Sequence, residues 1–174
     1  MIKLIQPTAE HIVEVDRLFE VVVADTFAKE GLPDARDFID EEVAFKQQQL
    51  RDYIEKKDAC YLIAVKEETI VGTIWYGQAG ELIAEGSNGT LSELGELGTV
   101  FVLPKYQRQG IGRELIDGML RLLADKGISR CTLDSGYTHA QAVWQHKFGE
   151  PVFVMKDQWG EGIHHMIWVI DINL

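Results

Sequence analysis

Apolar positions along the chain follow two rhythms, and each change of rhythm marks an element. Between positions 9 and 31 the residues Ile12, Val15, Leu18, Phe19, Val22 and Val23 recur at three- and four-residue spacing, the period of a helix with one buried side. Thr8 stands before it as an N-cap without an acidic capping-box partner, and Gly31 is its stop. After "GLPD" a less regular stripe of Phe38, Val43, Phe45, Leu50, Tyr53 and Ile54 predicts a second helix over roughly 37–57. The next runs, within "CYLIAVKEETIVGTIWYG", are rich in β-branched and aromatic residues and read as a hairpin turning at "KEET". Gly, Ser, Asn and acidic residues fill "AGELIAEGSNGTLSE", positions 79–93, which reads as a long loop bordering a binding site. A further strand, "LGELGTVFVL", runs to Pro104, and a strong helix over about 110–126 buries Ile111, Leu115, Ile116, Met119, Leu120, Leu122 and Leu123 before stopping at Gly127. "RCTLDS" is a strand, "HAQAVWQHKF" a short helix, and "VFVMK" and "HHMIWVIDI" two last strands beyond the break at Gly149 and Pro151. With the opening strand "IKLIQ" the order is β, α, α, β, β, β, α, β, α, β, β, a mixed α/β sheet in a single domain over 1–174.

Composition narrows the function classes. The chain has 174 residues, long enough for one sizeable core, and no apolar run of membrane-spanning length or signal-peptide pattern, so the expected location is the cytoplasm. Its net charge of −11 argues against a nucleic-acid partner, which requires a basic surface, and leaves cationic substrates electrostatically favoured. Cys60 and Cys131 sit in apolar strand-like segments without metal or redox spacing, so they read as small buried hydrophobes and no disulfide is expected.

One segment breaks the acidic character. "VFVLPKYQRQGIGREL", positions 100–115, joins a strand to a helix through a short run holding Lys105, Arg108 and Arg113 and no acidic residue before Glu114. A helix that starts near Gly110 points unpartnered backbone N–H groups and the positive end of its dipole at whatever lies ahead of it. Gly110 and Gly112 let a polyphosphate approach that backbone without meeting a Cβ, so the segment reads as an anion site. A solvated turn is the alternative. The phosphate loop G-x-x-x-x-G-K-[ST] is absent, and "GIGREL" lacks the third glycine of the dinucleotide fingerprint.

The same residues resemble the acyl-CoA-binding signature of the GNAT N-acyltransferase superfamily, Q/R-x-x-G-x-G/A after a V-x-P strand end. Gln107, Gly110 and Gly112 fill its fixed positions and Val102–Pro104 its strand end, and the order of elements is similar over most of the chain. The resemblance implies a mostly antiparallel central sheet flanked by helices and acetyl-CoA as acyl donor, with no metal. It implies pantetheine contacts at Phe101 and Val102, and pyrophosphate contacts at Gln107, Arg108, Gln109, Gly110, Ile111, Gly112 and Arg113, with Arg108 free to meet the 3′-phosphate instead.

Aminolysis of a thioester requires a base for the ammonium proton. The family often places a carboxylate six residues before the V-x-P valine, which is Glu96 here. A free Glu has a pKa of roughly 4.3, so a base near neutral pH needs upward tuning by burial or by neighbouring carboxylates such as Glu93. The acid departs from the family. Aligning its helix pattern N-x-x-A-x-x-L-Y-x-K-L-G-F on Gly149 puts Gln145 at the tyrosine and Thr138 at the asparagine. An amide has no proton to give at neutral pH, which leaves Tyr137, His146 or water as donor, or an acyl-CoA sensor domain with weak or lost activity.

His164 and His165 are adjacent on a strand and face opposite sides, which argues against a shared metal. The resemblance makes one of them, or Trp159 in the turn "DQWGEG", a candidate for the wall of an acceptor pocket, whereas Trp75 and Trp168 read as core or sheet-face aromatics. The expected acceptor is a small-molecule or peptide amine, and the oligomeric state stays open, a homodimer being among the options.

Overall fold

A computed structural model describes residues 1–172. Seven strands form one mixed sheet: β1 (Ile2–Ile5), β2 (Cys60–Lys66), β3 (Thr69–Gly77), β4 (Glu96–Val102), β5 (Arg130–Ser135), β6 (Phe153–Met155) and β7 (His165–Asp171). Their order is β1-β2-β3-β4-β5-β7-β6. The helices are α1 (Ile12–Lys29), α2 (Arg36–Lys56), α3 (Glu81–Gly86), α4 (Ile111–Asp125) and α5 (Thr138–Phe148). This is the mixed sheet expected from the element order, mostly antiparallel as the resemblance implies. Among the described residues no helix is long and apolar enough to cross a membrane.

By backbone proximity the chain divides into two compact units. The first holds residues 1–75 and 99–121. Its core is the predicted stripe of α1, with Val15, Leu18, Phe19 and Val22 packed on Leu50 and Tyr53 of α2 and on Tyr61, Ile63 and Ile70 of the hairpin. The amphipathic spacing read from the sequence is therefore what packs the helices on the strands. β1 pairs antiparallel with β2 from Ile2↔Lys66 to Ile5↔Ile63. Two predicted glycine stops hold: α1 ends at Lys29 before Gly31 at φ 78°, and α4 ends at Asp125 before Gly127 at φ 77°. The first helix differs at its start, where a turn of 3-10 helix, Ala9–His11, precedes α1. His11 supplies the missing capping-box partner, its Nδ1 accepting the Thr8 N–H at 3.0 Å.

The second unit holds residues 76–98 and the chain from Leu122 onward. β4 pairs in parallel with β5 at Glu96↔Thr132 and Leu97↔Leu133, β5 antiparallel with β7 from Arg130↔Asp171 to Ser135↔Met166, and β6 antiparallel with β7. One sequence expectation is corrected here. Residues 79–93 are not a continuous loop, since α3 occupies Glu81–Gly86. Buried Ile83 and Leu91, packed with Ile167, give the segment a core of its own, which its Gly- and Ser-rich composition masks.

Candidate active site

The basic segment lies in the first unit. Pro104–Tyr106 form one 3-10 turn, Arg108 and Gly110 take left-handed φ values of 62° and 85°, and α4 begins at Ile111. A Cβ on Gly110 would meet nothing within 4 Å, and one on Gly112 only the Val102 side chain at 3.9 Å. The space above both glycines is thus open on the protein side. The first N–H groups of α4 have no intrahelical acceptor by construction.

Two glutamines fix this loop. Gln107 donates from Nε2 to the Val102 carbonyl at 3.0 Å, and its Oε1 accepts from Lys29 Nζ at 2.9 Å. Gln109 donates to the Lys105 carbonyl at 3.1 Å, and its Oε1 accepts from Lys66 Nζ at 3.1 Å. Both amides are engaged within the protein, so an anion here would meet backbone N–H groups and cations rather than these two side chains. Lys29 and Lys66 went unseen in the sequence because they arrive from α1 and β2, and no local spacing signals a partner that distant. Arg108 and Arg113 are exposed, Arg113 lying 3.4 Å from Asp117.

Upstream, Thr99 in β4 has a φ of 54°, unusual for a β-branched residue. Two hydrogen bonds hold it, from the Thr73 hydroxyl to the Thr99 carbonyl at 2.8 Å and from the Thr99 hydroxyl to Gln49 Oε1 at 2.6 Å. Phe101, half-buried, meets Phe19 edge-on with ring centroids 6.0 Å apart. The Phe101 carbonyl approaches β3 so closely that a Cβ on Gly72 would fall 2.8 Å from it.

Glu96 belongs to the second unit and opens β4. Its Oε2 accepts the Gly80 N–H at 2.8 Å, just before α3. The residue ahead of it is clamped: the Gly95 carbonyl accepts from the Thr132 N–H at 2.7 Å and the Thr132 hydroxyl at 3.0 Å. The Tyr76 ring fills the place where a Gly95 Cβ would stand, 2.2 Å from that position. None of Gly80, Tyr76 or Gly95 carries a motif that would announce it.

Gln145 turns its amide toward Glu150 Oε2 at 3.5 Å, while Trp144, buried beside it, stacks on Phe148. Tyr137 donates its backbone N–H to the Ser135 hydroxyl at 3.1 Å at the start of α5. The two histidines have separate partners. His164 Nδ1 accepts the Asp157 N–H at 3.0 Å, and His165 Nε2 lies 2.8 Å from Asp134 Oδ2. The Trp159 indole donates to His165 Nδ1 at 3.2 Å. An indole N–H only donates, so His165 Nδ1 is an acceptor and the ring hydrogen sits on Nε2, donated to Asp134. Trp168 is core as expected, 1% exposed, its indole donating to the Gly149 carbonyl at 2.9 Å. Among the described residues no group of three or more His, Cys, Asp or Glu is arranged to hold a metal ion.

Comparison with known proteins accords with this geometry. The family model described as "Acetyltransferase (GNAT) family" matches residues 28–150. Human N-acetyltransferase 8 is 30% identical over 93 residues, 53% of this chain, and the chain spans only 38% of that relative's length. A putative acetyltransferase of the GNAT family from Desulfovibrio desulfuricans superposes with a TM-score of 0.74 at 15% identity, covering 99% of this chain and 100% of its own. PaiA N-acetyltransferase from Thermoplasma acidophilum, solved in complex with coenzyme A, superposes with a TM-score of 0.71 at 15% identity over 98% and 99% of the two chains. Ribosomal-protein-alanine N-acetyltransferase from Brucella melitensis gives 0.69 at 17% identity over 97% and 99%.

Proposed function

The chain belongs to the acetyltransferase (GNAT) family, and from that premise we propose that residues 1–174 work as one N-acetyltransferase domain that moves acetyl from acetyl-CoA to a primary amine by direct attack in a ternary complex. The observation that carries this reading is the loop from Gln107 to Gly112, stapled by Lys29 and Lys66, with Gly110 left-handed and the N-terminus of α4 behind it. In this reading the backbone from Gln107 to Gly112, with Ile111 opening α4, takes the pyrophosphate. Arg108 and Arg113 supply outer charge, and Phe101 and Val102 line the pantetheine. Lys29 and Lys66 join them as cations from outside the signature.

The chemistry follows from the groups present. The amine enters as an ammonium and loses its proton to Glu96, directly or through one water. The neutral nitrogen then attacks the thioester carbonyl carbon and an N–C bond forms; the nitrogen sheds its second proton to water, and the C–S bond breaks with its electron pair leaving on sulfur. A thiolate of this acidity departs without a dedicated acid, and water returns the proton to it, because Gln145 has none to give. The acceptor is a small-molecule or peptide amine and the working compartment the cytoplasm.

A second reading rests on Gln145. With an amide at that position and turned toward Glu150, the domain is an acyl-CoA sensor that retains the cofactor site with little turnover. Calorimetry tests the shared premise: wild type binds acetyl-CoA, and Gly110→Trp does not. Equal affinity of the two proteins, or no binding at high micromolar concentration, defeats both readings. A thiol-release screen over amines then separates enzyme from sensor.

A further inference from the structure

Trp159 is oriented against the usual habit of its residue type. A tryptophan at a protein surface ordinarily buries its ring and leaves the indole N–H at the water. Here the N–H is turned inward onto His165, which is only 4% exposed, while the residue as a whole is 52% exposed. The ring meets His165 edge-on, centroids 5.8 Å apart, and with its only polar side-chain atom turned inward the exposed part of the side chain is ring carbon.

The placement is built by several residues. Asp134 on β5 holds the imidazole by Nε2, which leaves Nδ1 to hold the indole. Gly136 makes the room, since a Cβ there would stand 2.4 Å from the indole nitrogen. The turn that carries Trp159 is bonded throughout: Trp159 N–H to the Ile163 carbonyl at 3.1 Å, Ile163 N–H to the Gly160 carbonyl at 2.9 Å, and Gly162 N–H to Asp157 Oδ1 at 2.7 Å. An aromatic face costs free energy when left in water. Three elements combine to keep it there.

Register relates this platform to the proposed base. Glu96 pairs with Thr132, and Asp134 lies two residues further along β5, so both carboxylates belong to one face of the sheet. Two carboxylates, Asp157 and Glu161, flank Trp159 at two residues on either side, in a chain of net charge −11. An exposed indole ring in a strongly acidic chain is suited to receive a cation. That cation is not the nitrogen to be acetylated, because a π face favours the charged form and attack requires the neutral one.

We propose that Trp159 is a specificity-determining residue whose outward face receives a second cationic group of the amine acceptor, and that Asp134 and His165 are positioning residues that hold the indole for it. The acceptor class is thereby a diamine, or a peptide with a basic side chain near its reacting amine. The inference rests on the acetyltransferase reading above.

The test follows the indole N–H signals of the coenzyme A-loaded protein, which holds no acetyl group to transfer, by nitrogen-15 NMR while 1,4-diaminobutane or n-butylamine is added. The diamine is expected to move the Trp159 signal saturably and to bind about tenfold more tightly than the monoamine. Trp159→Leu, a change at the surface, should weaken the diamine about tenfold and leave acetyl-CoA affinity unchanged, with Trp159→Phe falling between. His165→Leu should weaken the diamine as far as Trp159→Leu does, whereas a purely structural His165 would leave diamine affinity unaltered in folded protein. Equal affinities for the two amines, no saturable shift with the diamine, or an unaltered diamine affinity in Trp159→Leu overturns the proposal. Failure of the wild type to bind acetyl-CoA in calorimetry instead overturns the parent reading, and the amine arms still decide whether Trp159 is a cation platform.

Discussion

Glu96 Oε2 and the Gly80 backbone N–H are 2.8 Å apart, so the candidate base is held by a hydrogen bond from the segment that begins α3. Glu96→Gln keeps an oxygen for that bond and removes the basic group. The expected outcome in a thiol-release assay is a fall in kcat of about 10²- to 10⁴-fold, with acetyl-CoA affinity within twofold of wild type. An unchanged rate removes Glu96 from the mechanism.

Gly110 and Gly112 are expected to fail in different ways. At Gly110, φ is 85° with open space where a Cβ would go, so Gly110→Ala acts through backbone strain and should cost about 1 kcal/mol of stability in urea unfolding. Gly112 lies within α4, where alanine is the better helix former, so Gly112→Ala should be neutral or slightly stabilising. In calorimetry the same variant should weaken acetyl-CoA, because its methyl group enters the space the pyrophosphate is proposed to take.

The strained backbone at Thr99 is held in part by its own hydroxyl. Thr99→Val keeps the branched side chain and the strained φ but removes the donor to Gln49, leaving Gln49 Oε1 without that partner. A loss of about 1–3 kcal/mol is expected, read as a lower midpoint in urea with unchanged slope.

Tyr61 should behave in the opposite sense. Its hydroxyl is buried with no hydrogen bond of good geometry among the described residues, the Thr73 side chain interacting with it only enough to oppose the shift in part, and burial pushes its ionisation far above the ordinary tyrosine value. Tyr61→Phe removes a poorly paired polar atom without changing the ring. Stability should stay level or rise by about 1 kcal/mol; a clear loss would show that the hydroxyl is bonded in solution.

Cys131 is fully buried, and burial pushes its thiol up to about 12. Since the thiolate is the reactive form, iodoacetamide at pH 8 should leave Cys131 unlabelled in the folded protein and label it in urea. Mass spectrometry of the Cys131 peptide reads both states.

What the sequence made legible has a physical boundary. The stripe of α1, the glycine stops at Gly31 and Gly127, and the basic charge of 105–113 are all local, carried by spacing within a few turns of chain. Residues 79–93 misled because turn-forming residues surround a short helix whose burial comes from Ile167, far along the sequence. Lys29 and Lys66 were invisible for the same reason: each reaches the loop from an element whose own pattern gives no hint of it. The Asp134–His165–Trp159 chain lies between the two cases. The adjacent histidines read from the sequence as facing opposite sides, but the carboxylate that binds His165 comes from β5 and is supplied by the fold.

Gly95 carries a consequence for how such a chain could drift. Its carbonyl is claimed twice by Thr132, and its missing side chain is the seat of the Tyr76 ring. Any larger residue there must push the ring aside next to the carboxylate it precedes. A descendant of this protein could therefore keep Glu96, the basic loop and every reacting group, and still fall silent through one added methyl group.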